Sequence, residues 1–312
     1  MRLTVSFEWL SGCSGCEVGT VDLHERLLTV LDTIDIVRLP ILMDERGYPA
    51  ADIGIVTGAL RTDHDVEALH ALRNSCKVLL AFGICAVYGG PQGAGDAHTL
   101  TELCDTVYAN GPTTATRFVP FQSVPALLEG GVRPVDSEVD IDSYLPGCPP
   151  HPYYIAQSLG ALVSKRAPEF GVHNVCYRCT RKMTKSAVTE LRRLHEITPD
   201  PEICWLSQGV LCMGSATLDR CLAPCPQRGI PCTGCAGPSE HVMLEPNRDI
   251  RTEIAERMSR MTGIAKSQIV AEIERRAKTY YAYAMASPVF RDKPTFLFKR
   301  WMKERRGASW VG

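Results

Sequence analysis

Fourteen cysteines in a 312-residue chain constrain this protein more than any other feature of its sequence. They are unevenly placed. Cys13 and Cys16 lie near the start, Cys85 and Cys148 stand alone, and Cys176, Cys179, Cys204, Cys212, Cys221, Cys225, Cys232 and Cys235 crowd into one stretch. Cysteine-dense secreted proteins are usually small and stapled by disulfides. This chain is long enough for two domains with separate cores. Its opening, MRLTVSFEWL, reads as a strand, not as a basic segment followed by an apolar export core. Metal binding is therefore the better expectation for the thiols, and the cytoplasm the expected location. No apolar run is long enough to span a bilayer. A net charge of -1 gives no field that would gather nucleic acid or an acidic membrane surface.

The rest of the pattern divides the chain in two. Residues 3–9, 34–39, 52–57 and 77–82 have strand composition, with 139–145 as a further extended segment. Helices are expected over 17–32, over 63–74 with Asp63 as cap, and over 153–164 after a run of prolines. Apolar strands closed by glycines and alternating with helices predict an α/β domain over residues 1–167. Its parallel sheet is expected to be doubly wound, in the flavodoxin-like order. Over residues 168–312 strand signal fades, and a cysteine-rich, mostly irregular and helical domain is expected. Its apolar content is low, so metal is expected to drive much of its folding. Helices are expected there over 185–197 and 265–285. The tail over 291–306 is basic (Lys293, Lys299, Arg300, Lys303, Arg305 and Arg306) and reads as a solvated end or a partner-docking arm.

Cys13 and Cys16 in G-C-S-G-C, Cys85 in F-G-I-C-A and Cys148 in P-G-C-P-P each follow a strand or extended run. Loops after the strands of an open α/β sheet converge at its carboxyl edge, so these four thiols can meet. Adjacent glycines let backbone amides approach sulfur. Cys176-x2-Cys179 with Cys204 and Cys212 forms a second set, and Cys221-x3-Cys225 with Cys232-x2-Cys235 a third. Four soft thiolates suit either an iron–sulfur cluster or structural zinc, and spacing alone does not separate the two. Cys76 and Cys104 remain, and read as structural thiols, Cys76 just before a buried strand. His24, His151 and the other histidines read as structural or exposed, and Trp9 and Tyr88 as packing residues.

Taken with W-L-S-G-C-S-G-C-E at 9–17, F-G-I-C-A-V-Y-G-G at 82–90, P-G-C-P-P at 146–150, L-C-M-G-S-A-T at 211–217, C-L-A-P-C-P at 221–226 and P-C-T-G-C-A-G-P at 231–238, the sequence resembles the small subunits of NiFe hydrogenases. It is most similar to the methyl-viologen-reducing type that associates with heterodisulfide reductase. The likeness covers residues 1–240 well and the remainder loosely. It implies that Cys13, Cys16, Cys85 and Cys148 hold a proximal 4Fe-4S cluster nearest the NiFe centre of a large subunit. Cys221, Cys225, Cys232 and Cys235 would hold a medial cluster, and Cys176, Cys179, Cys204 and Cys212 a distal one. Periplasmic and membrane-bound relatives place a histidine at the first distal position and a proline at one medial position. Here Cys176 and Cys225 stand there, which implies three 4Fe-4S clusters at the low-potential end of the range.

The resemblance further implies an oxidoreductase subunit in a hetero-oligomer, with a NiFe large subunit and an electron-accepting iron–sulfur subunit linked to heterodisulfide reductase. Hydrogen would be split on the large subunit, because the R-x-C-G-x-C and D-P-C-x-x-C contexts that hold nickel are absent here. Glu17 is either a carboxylate favoured by a helix N-terminus or part of a proton path near the subunit interface. Two related readings are the small subunit of an NAD(P)-linked and of a sulfur-reducing hydrogenase. With no G-x-G-x-x-G unit, no nicotinamide or flavin site of its own is expected. The cluster-bearing subunit of respiratory complex I shares the N-terminal fold and is expected to lack the second cysteine-rich domain. A zinc-stabilised scaffold is the rival from a different class.

Overall fold

A computed structural model describes residues 2–115, 124–280 and 282–291. Beyond Arg291 the basic tail lies outside the described residues. The chain forms two compact units. One runs to Pro168 and includes Ala284–Ser287; the other is Glu169–Tyr283 with Pro288–Arg291.

The first unit is built on five parallel strands: β1 (Leu3–Trp9), β2 (Ile34–Arg38), β3 (Ala51–Thr57), β4 (Cys76–Phe82) and β5 (Ser143–Leu145). They lie in the order β2-β1-β3-β4-β5, the flavodoxin-like order expected from the sequence. Ile53, Ile55 and Val56 of β3 and Leu79, Leu80 and Ala81 of β4 are all buried, as apolar strands covered on both faces must be. β5 is shorter than the 139–145 segment. The Asp142 carboxylate takes the Leu79 amide of β4 at 2.8 Å and Arg73 Nη1 at 2.7 Å, so a side chain occupies the position an extended backbone would have used.

The expected helix over 17–32 is broken into α1 (Gly15–Val21) and α2 (Glu25–Leu31). Between them the chain turns through His24 at φ 51, and the turn carries Leu23 into the core. The cap of α3 (Asp63–Ser75) is Thr62, not Asp63: Thr62 Oγ1 accepts from the Asp65 amide at 3.2 Å, and the Asp65 carboxylate accepts from the Thr62 amide at 2.7 Å. Two short helices follow, α4 (Ile84–Tyr88) and α5 (Leu100–Cys104). Next comes α6 (Pro152–Val163), with Pro152 at its first turn and the His151 ring accepting the Tyr153 amide.

In the second unit, α7 (Pro224–Gln227) and α8 (Glu240–Leu244) are short, while α9 (Ile250–Met261) and α10 (Lys266–Arg275) are amphipathic. The apolar face of α9 (Ile250, Ile254, Met258) and Ile269 and Ile273 of α10 pack against Trp205, Leu206 and Met213 from the cysteine-bearing loops. This core is larger than the cysteine segment alone would allow. The two helices beyond residue 245 supply the missing apolar surface, and α9 went unanticipated even though Asp249 forms a capping box with Thr252.

No helix spans 185–197; only Leu194–Glu196 makes a helical turn. Tertiary hydrogen bonds hold that segment extended: Ser186 N to Met261 O at 2.7 Å and Arg192 N to Gly209 O at 2.8 Å. Such bonds outweigh local helix propensity, which is worth tenths of a kcal/mol per residue. The expected long helix over 265–285 stops at Arg276, where the backbone leaves helical geometry, and only the short turn Ala277–Tyr280 follows.

Glu253, 1% exposed on α9, stays charged because Arg248 Nη1 lies 2.6 Å from it, Arg257 bonds its other oxygen, and His241 Nε2 is 3.3 Å away. Burial works to raise its pKa, but the two guanidiniums outweigh burial and hold it below the usual carboxylate range. Among the described residues no helix is long and apolar enough to cross a membrane.

Candidate metal centres

The strand order brings the first four cysteines to one sheet edge. After β1, Ser11 is fixed by Asp65, whose carboxylate accepts from the Ser11 amide at 3.0 Å and from its hydroxyl at 2.8 Å. That anchor fixes the loop that carries Cys13 and leads Cys16 into α1. After β4, Cys85 sits in α4. The Gly83 amide donates to Leu145 O and the Ile84 amide to Gly147 O, both at 2.8 Å, so the Cys85 turn is tied to the segment that carries Cys148.

Two glycines make room for sulfur. A Cβ on Gly83 would stand 2.3 Å from Cys16 Sγ, and one on Gly90 would stand 2.5 Å from Cys85 Sγ. The thiols sense one another. Burial first, then Glu17, Cys85, Cys148 and Cys13, push Cys16 far above the ordinary thiol range. Cys85 is pushed up to about 12 by burial, then by Cys148, Cys13 and Glu17. Cys148 is raised by burial and by Cys13. Cys16, Cys85 and Cys148, partly buried with Glu17 close by, resist ionisation unless a cation draws the protons off, which is what metal ligation does.

The second set also comes together. Cys176 and Cys212 place their sulfurs 3.5 and 3.6 Å from the point where Gly214 would carry a Cβ. Cys176 is pushed up to about 12 by burial and Cys212, with Arg257 acting against them, then by Cys204 and Cys179. Cys212 is pushed up to about 11 by burial, partly offset by the amides of Gly214 and Cys232. Cys204 is raised by burial against the amides of Leu206 and Ser207. Such N–H···S donors stabilise thiolate charge.

The third set is seen as two pairs. Cys221 is raised by burial, with the Ala223 amide opposing, then by Asp219 and Cys225, while Arg178 pulls it down. Cys232 is raised well above the thiol range by burial and then by Cys212, with the Gly234 amide and Thr217 hydroxyl opposing and Cys235 adding to the rise. One contact joins the second and third sets directly. The Cys232 amide donates to Cys212 Sγ at 3.2 Å, beside a bond from the Met213 amide to Cys232 O at 2.9 Å.

All fourteen cysteines are free of disulfides. Among the described residues no three His, Cys, Asp or Glu side chains close to single-ion distance, so the thiols of a set face one another without meeting at a point. An all-sulfur donor set, with glycines that leave space for sulfur and with amide donors aimed at it, fits an iron–sulfur cluster.

Comparison with known proteins decides the family. The chain is 39% identical over 234 residues to a subunit of the vhu F420-non-reducing hydrogenase of Methanococcus voltae, a match that covers 75% of this chain and 82% of that protein. It is 38% identical over 241 residues to the corresponding vhu subunit of Methanocaldococcus jannaschii, covering 77% and 83%. This chain belongs to the NiFe hydrogenase small-subunit family. A family model described as NADH ubiquinone oxidoreductase, 20 Kd subunit, matches residues 13–162 of this small subunit, within its first unit. A solved chain of an NAD+-reducing [NiFe]-hydrogenase in the H2-reduced state superposes with a TM-score of 0.53 at 32% identity, covering 55% of this chain and 96% of that one.

The small subunit is thus an iron–sulfur, electron-transferring component of a hydrogenase, an oxidoreductase complex whose large subunit is its expected partner. Glu17, expected at a helix start, is the third residue of α1. It is 6% exposed, accepts a hydrogen bond from the Thr57 hydroxyl, and has its other oxygen, Oε2, buried with no hydrogen-bond partner among the described residues. Cys76 packs in the small subunit's sheet, where a Cβ on Gly54 would meet its sulfur at 2.7 Å, and Cys104 ends α5. Tyr88 is buried and Trp9 is 38% exposed. Thr57, Asp65, Arg181 and Trp205 were not singled out from the sequence. None belongs to a cysteine motif, and only Asp65 left a trace there, three residues after Thr62 in a capping-box spacing.

Proposed function

We propose that this small subunit carries electrons from H2 oxidation on a cytoplasmic NiFe large subunit through three 4Fe-4S clusters to an iron–sulfur acceptor subunit linked to heterodisulfide reductase. Cys13, Cys16, Cys85 and Cys148 would hold the proximal cluster, Cys221, Cys225, Cys232 and Cys235 the medial one, and Cys176, Cys179, Cys204 and Cys212 the distal one. When bound, each cluster would supply a one-electron site at a potential set by its surroundings.

The observation that carries this reading is the Cys232 N–H···Sγ Cys212 hydrogen bond at 3.2 Å, which links a medial ligand to a distal one with no intervening residue. The extent of the likeness favours the F420-non-reducing type over the NAD(P)-linked type. Relatives of the F420-non-reducing type match about three quarters of the chain, whereas the NAD+-reducing structure leaves 45% of it without a counterpart (100% less the 55% it covers).

The proton-path role of Glu17 is supported by its burial and its unpartnered Oε2 beside the first cysteine set. Isolation of the tagged chain from its native host is expected to bring down a NiFe large subunit and an iron–sulfur acceptor subunit. Recovery of the chain alone, or with a flavin-bearing NAD(P) module, rejects the heterodisulfide-reductase link. In the isolated complex, Glu17→Gln is expected to slow H2 oxidation several-fold while iron content stays constant. An unchanged rate removes Glu17 from the proton path.

A further inference from the structure

Arg181 is bound by neutral groups on two other segments of the chain, 200–205 and Pro226. It follows Cys179 by two residues. Its Nη1 donates to Asp200 O at 2.8 Å and to Ile203 O at 2.9 Å, just before Cys204. Its Nε reaches Pro226 O at 3.4 Å, just after Cys225. Its guanidinium lies 3.9 Å over the ring of Trp205, the residue after Cys204, which is itself 1% exposed. Carbonyls and an aromatic face orient a guanidinium without cancelling its charge, and arginine does not lose its proton. No carboxylate oxygen among the described residues lies within salt-bridge distance of it.

The neighbouring arginines differ. Arg178, beside Cys221, is paired with Asp219. Arg257, which faces Cys176, is paired with the buried Glu253. A guanidinium with no carboxylate partner among the described residues therefore stands at the Cys179–Cys204 side of the second cysteine set, joined through Ile203 O and the Trp205 ring to the Cys204 loop. A positive charge held beside an iron–sulfur centre favours the form with the extra electron.

We infer that Arg181 is a positioning residue that raises the reduction potential of the distal centre, while it ties the Cys179, Cys204 and Cys225 loops together. The inference rests on the reading that Cys176, Cys179, Cys204 and Cys212 hold a cluster.

The test is a redox titration of the intact hydrogenase complex followed by electron paramagnetic resonance, comparing the wild-type protein with Arg181→Gln, Arg181→Lys and Lys182→Gln. Lys182, 76% exposed and 3.7 Å from Glu202, supplies the control for loss of a solvated charge. Arg181→Gln is expected to lower the midpoint of one centre alone with iron content unchanged, so that fewer distal centres are reduced at a given potential. Arg181→Lys is expected to keep most of the wild-type midpoint, and Lys182→Gln to change it little. Three unmoved midpoints in Arg181→Gln overturn the inference. So do equal shifts in the Gln and Lys variants, and so does loss of iron from Arg181→Gln, which makes Arg181 a brace only. A wild-type complex whose iron and sulfide are no more than its partner subunits hold instead rejects the underlying cluster reading.

Discussion

Replacing Gly83 by alanine is expected to strip one four-iron complement from the protein, lowering its iron from about twelve to about eight per chain, and to abolish H2-dependent dye reduction by the complex. Two costs coincide at this residue. Its φ of +90 with ψ of 161 is an essentially glycine-only conformation that penalises any side chain by about 1–3 kcal/mol. Its added Cβ would also stand 2.3 Å from Cys16 Sγ, with Cys16 Cβ at 3.7 Å and Gly147 O at 3.8 Å behind it. The backbone there is fixed by the bond from the Gly83 amide to Leu145 O, so the sulfur must move away from its three partners. Gly130→Ala separates the two costs. Gly130 has a φ of +85 and nothing within 4 Å of a Cβ, so its alanine variant bears the backbone strain alone and is expected to keep its iron. If Gly83→Ala retains full iron and activity, Cys16 is not a cluster ligand.

Replacing Cys225 by proline is expected to convert one 4Fe-4S centre into a 3Fe-4S form, with loss of about one iron per chain and the appearance of an oxidised three-iron resonance. The change removes no backbone hydrogen bond among the described residues. Cys225 is the second residue of α7, and an amide in a helix's first turn has no partner within the helix, so a proline there costs no helical hydrogen bond. What is lost is one thiolate of the set of Cys221, Cys225, Cys232 and Cys235. The remaining three sulfurs match the donor count of a three-iron centre. With less thiolate charge around it, the converted centre is expected to titrate at a higher potential than the one it replaces. Folded Cys225→Pro protein without that resonance rules out Cys225 as a ligand.

How much of this was legible in the sequence follows from where each signal resides. The sheet was readable because the first unit is made of local patterns. The apolar runs at Ile53–Val56 and Leu79–Phe82 end in glycine at the points where the strands end. The cysteine motifs were readable because ligand spacing within C-x2-C is a property of one loop. The helix boundaries were less so. Nothing local marks the break at His24, which serves to bury Leu23, a distant packing demand. The segment over 185–197 has a helical pattern of its own, yet its amides go to Gly209 and Met261 instead.

The environment of the thiols was the least legible. Asp65 reaches back 54 residues to anchor Ser11, and Arg181 reaches forward 45 residues to Pro226. Pairings at such separations leave no periodicity to read. The core of the second unit was underestimated for the same reason: Trp205 and Met213 lie in irregular loops, and their partners Ile254 and Ile273 come from helices far along the chain.

The central claim is that twelve thiols hold three four-iron centres. It is tested most directly by measuring iron, acid-labile sulfide and zinc in the complex isolated without oxygen. The account predicts about twelve iron and twelve sulfide per copy of this chain beyond the iron and sulfide of its partner subunits, with a broad visible absorbance that dithionite bleaches. A colourless preparation in which zinc fills the cysteine sites and sulfide is missing would contradict it.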